Sequence, residues 1–141
     1  MDHQDQTGVV EQWLVAVGRR DIEAEQRLWT PDGVLELPFA ADPARRSVSV
    51  GDPLAGFRRT VASLVPALVW RDVAFLPVND DVMVVEAAAD GVAVNGRQFA
   101  GRYCMVFRFR SGRIGRIVEY ADPGAVARAF TTDELAAALG G

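Results

Sequence analysis

The sequence predicts an α+β domain with a mostly antiparallel, curved sheet covered on one face by helices. Three observations predict it. Helix-spaced apolar residues come early and strand-like runs come late, an order that suits helices laid on one face of such a sheet. The 141 residues suit one domain. With 50% hydrophobic and 24% charged residues, the chain can build a packed core and is not of the disordered class.

Residues 1–7 (MDHQDQT) are polar and acidic and are expected to fray, leaving 8–141 as a single domain. Val9, Val10, Trp13, Leu14 and Val17 share helical spacing, so a first helix spans 8–18 and Gly18 stops it. Asp21 reads as the N-cap of a second helix over 22–29. Thr30-Pro31-Asp32-Gly33 reads as a turn, and 34–39 as a short strand that Pro38 places near an edge or an end. An irregular loop over 40–50 carries Arg45 and Arg46. Asp52 caps a third helix, with Pro53 at its first position and Leu54, Phe57, Val61 and Leu64 on one stripe. Pro66 ends it. Four strands follow, over 68–78, 82–88, 99–109 and 113–120, with turns at Asn79-Asp80-Asp81 and Ala89-Asp90-Gly91. A short helix runs from Asp122-Pro123 through Phe130, and Thr131 with Glu134 resembles a capping box for a last turn.

Composition narrows function. A net charge of −4 with no basic run argues against nucleic acid and anionic membranes as partners. All 15 basic residues are arginine, which reads as a compositional bias. No run of about 18 apolar residues exists to span a membrane. The N-terminus lacks the basic and apolar regions of a secretion signal, so a cytoplasmic protein is expected. The lone Cys104 and the lone His3 give no zinc cluster, and no metal or cofactor is expected. His3 in a frayed tail also leaves no imidazole for Ser-His or Cys-His nucleophiles.

The last hairpin carries the chemistry. Arg110-Ser111-Gly112 joins FAGRYCMVFRF to RIGRIVEYA. A two-residue loop would set Glu119 opposite Cys104. A three-residue loop with a bulge would set it opposite Tyr103 and is favoured by the side-chain pattern. Tyr103, Met105, Phe107 and Phe109 then share one face with Gly115, Ile117 and Glu119. Arg102, Cys104, Val106, Arg108, Ile114, Arg116, Val118 and Tyr120 share the other. The first face is almost wholly apolar and should meet the helices. Glu119 is the anomaly on it: desolvation would raise its pKa and suit it to proton transfer. The plain alternative is a carboxylate at the rim, paired with an arginine such as Arg97.

On VVEQWLVAVGRRDIEAEQRLWTPDGVLELPFA, GRQFAGRYCMVFRFRSGRI and RIVEYADPGAV, the chain resembles the SnoaL-like branch of the NTF2-like, ketosteroid-isomerase-like superfamily. The resemblance implies a cone: a bent sheet around helices, with an internal pocket. It spans steroid isomerases, polyketide cyclases, epoxide hydrolases, phenazine-forming proteins and members with no known activity. The Tyr, Asp and Asp of ketosteroid isomerases fall here on Trp13, Leu37 and Met105, so their enolate chemistry is not expected. The indole N–H of Trp13 could still donate one hydrogen bond. The acid that epoxide hydrolases and the phenazine-forming branch carry in the last strand matches Glu119. The hydrolases also need an Arg and a second Asp on a neighbouring strand; here Glu86 is the only acid in VMVVEAAA, with no Arg placed beside it, and the pocket His of the phenazine-forming branch is absent.

The resulting expectation is a cofactor-independent isomerase, cyclase or epoxide-opening enzyme for a hydrophobic metabolite, perhaps of secondary metabolism. Glu119 and Tyr103 are its catalytic candidates. Trp13, Leu37, Phe39, Phe57, Trp70, Met105, Phe107 and Ile117 are its candidate wall. Arg45, Arg46 and Arg97 read as loop charges and Asp122 as a helix cap. The resemblance also implies a homodimer through the outer sheet face. The alternatives are a non-catalytic binder of an apolar ligand and a dimeric interaction module without a pocket.

Overall fold

The computed structural model describes residues 1–140. Helix α1 spans His3–Gly18, and the Asp2 side chain caps it by accepting from the Asp5 amide. Residues 3–7 are therefore helix, where a frayed tail was expected. Gln6 anchors them: it is wholly buried, and its side-chain amide donates to the Asn79 carbonyl at 2.9 Å. Gly18 is the last residue of α1, at the expected boundary, but it has no left-handed φ. Its role is close approach, since a Cβ there would sit 2.8 Å from the Leu68 carbonyl oxygen. The helix ends instead through Arg20, at a left-handed φ of 59°.

Helix α2 (Ile22–Leu28) starts from the expected Asp21 cap. Strand β1 (Trp29–Glu36) absorbs the segment expected to turn at Thr30–Gly33. Strand β2 (Ser47–Ser49) pairs back on it. Helix α3 (Asp52–Leu64) is capped by Gly51 at φ 101°, one residue before the expected Asp52. Strands β3 (Val69–Asn79), β4 (Val82–Val92), β5 (Gln98–Arg110) and β6 (Arg113–Ala121) form an antiparallel meander. β4 passes straight through the expected Ala89-Asp90-Gly91 turn, because Asp90 stays paired with Val69 and its carboxylate meets Arg71. Helices α4 (Gly124–Ala129) and α5 (Thr132–Gly140) follow, and Thr131 with Glu134 makes the reciprocal capping box at 2.9 and 3.1 Å.

The curved, unclosed sheet has the order β2-β1-β6-β5-β4-β3. Only the β1–β6 contact is parallel. The architecture is thus the expected α+β one. Trp13, Trp29, Leu35, Leu54, Met83, Met105, Phe107, Ile114 and Ile117 are wholly buried in its core.

The β5–β6 hairpin differs from expectation in a way that moves the site. Ser111 (φ 54°) and Gly112 (φ 76°) are both left-handed, so the loop has two residues and Arg110 faces Arg113. The expected three-residue loop does not form. The pairing then slips between Arg108 and Phe109, with Gly115 as the extra residue. Beyond this bulge Glu119 lies opposite Met105, and Tyr103 lies opposite Ala121. The slip of two residues preserves which face Glu119 occupies. Between the turn and the bulge the shift is one residue, which turns Ile114, expected outside, into the core. Replacing Ser111 by asparagine, which tolerates this backbone region better, should add about 0.5–1 kcal/mol of stability. Urea unfolding measures it, and an unchanged midpoint would deny strain at this turn.

Candidate functional site

The inner face of the sheet divides along its strands. Toward the hairpin turn, Met105, Phe107, Phe109, Ile114 and Ile117 pack into the core, and Trp13 meets Phe107 edge-on at 5.2 Å. Toward the other end, Gly101 and Tyr103 of β5 and Glu119 and Ala121 of β6 line a cavity of ≈ 440 Å³. Phe57, Arg58, Val61 and Leu64 of α3 close it, with Val126 of α4, Trp70 of β3, and Val17 and Arg20 from the end of α1. Leu37 and Phe39 follow β1 to the mouth, where the 58%-exposed Phe39 ring lies 5.8 Å from Tyr120.

Of the residues expected at the site, Glu119, Tyr103, Leu37, Phe39, Phe57 and Trp70 line this cavity. Trp13, Met105, Phe107 and Ile117 do not. Met105, Phe107 and Ile117 share the inner face but sit further toward the turn, and Trp13 of α1 packs onto Phe107 there; all four are wholly buried. Nor is either indole here free to bind a ligand. Trp13 Nε1 donates to Glu25 Oε2 at 3.0 Å, and Trp70 Nε1 donates to the Leu14 carbonyl at 2.8 Å. Glu86 is exposed on the outer face, opposite Cys104. Arg45, Arg46 and Arg97 are exposed and lie outside the cavity wall, so no rim pair of Arg97 with Glu119 forms. Asp122 accepts from the Gly124 amide (2.9 Å) and from Arg128 (2.6 Å), as a helix cap does.

Glu119 is only partly accessible, and it lines the cavity. No hydrogen bond contributes to its ionisation. Burial pushes its carboxyl above the ordinary value; the Arg58 charge opposes the shift and Glu25 adds to it. Tyr103 is its diagonal neighbour across β5–β6, at the distance where long side chains still meet. Burial also pushes the Tyr103 hydroxyl up, and Glu119 adds to this. The phenol therefore stays a donor at neutral pH. Its ring packs edge-on against Trp70 at 5.4 Å and lies over Gly101, where a Cβ would come within 2.8 Å of the hydroxyl. Gly101 thus makes the room that Tyr103 occupies.

The sequence reading missed two charged groups. Arg58 is 6% exposed and donates to both carboxylate oxygens of Glu25, at 2.7 and 2.9 Å. Glu25 also accepts from the indoles of Trp13 and Trp29, and the Arg58 guanidinium lies 5.7 and 5.5 Å from the Trp13 and Phe57 ring centres. A signal existed: Arg58 falls in phase with Leu54, Val61 and Val65 on α3, and a charge in an apolar stripe calls for a buried counter-charge. The second is Arg20, whose side chain bonds the Val17 and Val65 carbonyls in the cavity wall. Its place in an inter-helix corner left no periodic signal.

Among the described residues no group of three His, Cys, Asp or Glu side chains is placed to hold a metal. No helix among them is long and apolar enough to cross a membrane.

Several solved structures share this architecture. A candidate isomerase from Bacillus subtilis is 19% identical with a TM-score of 0.83, over 92% of this chain and 96% of its own. A candidate polyketide cyclase from Xanthomonas campestris pv. campestris is 20% identical with a TM-score of 0.76, over 91% and 98%. A phenazine biosynthesis-related protein from Pseudomonas aeruginosa is 18% identical with a TM-score of 0.72, over 90% and 85%. At these identities the likeness is one of fold. No curated protein matches the sequence. Residues 10–120 match the SnoaL-like domain pattern, most of the chain and all of the sheet from β1 to Tyr120. The chain belongs to the SnoaL-like domain family.

Proposed function

We propose that the protein is a cofactor-independent enzyme that isomerises or cyclises a hydrophobic metabolite by proton transfer through Glu119. One observation carries this reading: a carboxyl without a hydrogen-bond partner lines an otherwise largely apolar cavity. Burial favours the protonated form of Glu119, which donates its proton to one ligand atom. The carboxylate so formed takes a proton from another atom, which restores the acid and balances the reaction. Tyr103 donates a hydrogen bond to developing negative charge and keeps its own proton. Such acid–base assistance is typically worth about 10²–10⁴-fold. Epoxide opening is the less favoured chemistry, because Glu86 of β4 lies exposed on the outer face, away from Glu119.

Deuterium exchange at the α-carbon of 2-tetralone, a bicyclic ketone, reads this proton transfer directly. Wild type should exceed the buffer rate, and Glu119→Gln should fall back to it. Equal exchange by the two proteins would remove Glu119 from the reaction. A non-catalytic binder is the second reading. The displaced register favours it, since Tyr103 and Glu119 are diagonal rather than directly opposed. The homodimer expected through the outer sheet face belongs to both readings.

A further inference from the structure

Arg20 combines three features that the fold does not require together. It holds a left-handed φ of 59° at the end of α1, a place where glycine or asparagine would sit with little strain. Its guanidinium lines the cavity. And it has no carboxylate partner among the described residues. Nε and Nη2 donate to the Val65 carbonyl at 3.1 and 2.9 Å, and Nη1 donates to the Val17 carbonyl at 3.2 Å.

The other charges of the wall are matched: Arg58 by Glu25, and Asp122 by Arg128. Among the described residues of the wall, Arg20 is the one cation without a carboxylate partner. A guanidinium has five N–H groups. Three are used, which leaves one on each Nη, the two groups that a carboxylate accepts from side by side. Strain retained at such a residue is a mark of use, because the surrounding structure must hold it there.

On the reading of this cavity as a ligand site, we propose that Arg20 binds an acid group of the ligand, so that the ligand class is a hydrophobic carboxylic acid. The Val17 and Val65 carbonyls fix the guanidinium plane, and the apolar wall of Phe57, Trp70 and Leu68 receives the carbon skeleton. Arg20, Tyr103 and Glu119 line the same cavity, so a ligand held at Arg20 shares its space with the phenol and the carboxyl. Arg20 is in this sense a specificity residue, with the proton transfer left to its neighbours.

The test is equilibrium binding by calorimetry of 2-naphthoate and its neutral counterpart 2-naphthamide. Wild type should prefer the acid at least tenfold. Arg20→Asn keeps a side chain tolerant of positive φ and should erase the preference while still binding the amide. Arg20→Lys keeps the charge without the fork and should retain part of the preference. Circular dichroism confirms that each variant is folded. If Arg20→Asn does not fold, the wild-type ratio together with the lysine variant decides. A wild-type preference below twofold, an undiminished preference in both variants, or no binding of either compound at millimolar concentration would overturn the proposal. The acid–base reading is tested by exchange into 2-tetralone, which carries no acid group, and the Arg20 reading by the wild-type preference for acid over amide, which needs no proton transfer, so the failure of each is separable.

Discussion

Glu25→Ala is expected to cost about 3–5 kcal/mol of stability, the range for stranding one partner of a buried ion pair. The substitution leaves the Arg58 guanidinium, 6% exposed, without its counter-charge. It also leaves the Trp13 and Trp29 indole N–H groups without the oxygen that both now share. Water cannot easily replace it, since both indoles are buried and nearly or wholly inaccessible. Removing both charges, as in Glu25→Leu with Arg58→Met, should recover part of the loss by ending the desolvation of an unpaired cation. The recovery should be incomplete because the indoles still lack an acceptor. Urea unfolding of the two single variants and the double variant supplies the cycle. A loss under about 1 kcal/mol for Glu25→Ala would show that the pair is solvated in solution. The cluster matters to the site as well. Arg58 and Glu25 act on the Glu119 ionisation in opposite senses, so loss of Glu25 should draw the Glu119 carboxyl down.

How far the sequence reveals this arrangement depends on the range of the interaction. The elements were legible because their signals are local: the Asp21 cap, the Thr131–Glu134 capping box and the alternation in β5 each sit within a few residues. The face of Glu119 was legible too, since parity along a strand survives a slip of two. The register was not. It was set by a left-handed Ser111, which sequence statistics disfavour, and by a bulge at Gly115. The division of the inner face into core and cavity was equally hidden. Met105 and Tyr103 have the same parity in the same strand, yet one is wholly buried in the core and the other faces the cavity. That difference depends on where helices α1 and α3 end over the sheet, which no residue near position 103 encodes. Arg20 and the Glu25–Arg58 pair belong to this class, with contacts that span 33 and 45 residues of sequence.

Glu119→Gln is expected to separate what this residue does for stability from what it does for reaction. In 2-tetralone exchange the variant should lose about 10²–10⁴ of the enzymatic rate, the range for removing a positioned acid–base group. In unfolding it should behave in the opposite sense. The unfolded carboxyl titrates near its ordinary value of 4.5, whereas burial raises the folded one. Between the two values the folded state binds more protons than the unfolded state, so stability falls as pH rises through that window. Below about 4.5 the neutral acid costs nothing extra; above the raised value the full cost of a buried, unpaired carboxylate is present. Glutamine has no such titration. The difference in unfolding free energy, glutamine variant minus wild type, should therefore grow from pH 4.5 upward and level off once the folded carboxyl has ionised. Other groups, such as Asp122 and Glu134 with their lowered values, give slopes of the opposite sign at lower pH, but they are common to both proteins and cancel in the difference. A flat difference across pH 4–8 would mean that the carboxyl reaches water, and with it would go the reason to assign Glu119 a proton to give. A rising difference with unchanged exchange would keep the dry carboxyl and leave the binder reading, since a site that destabilises its own fold without speeding a reaction is then holding a ligand in place of a transition state.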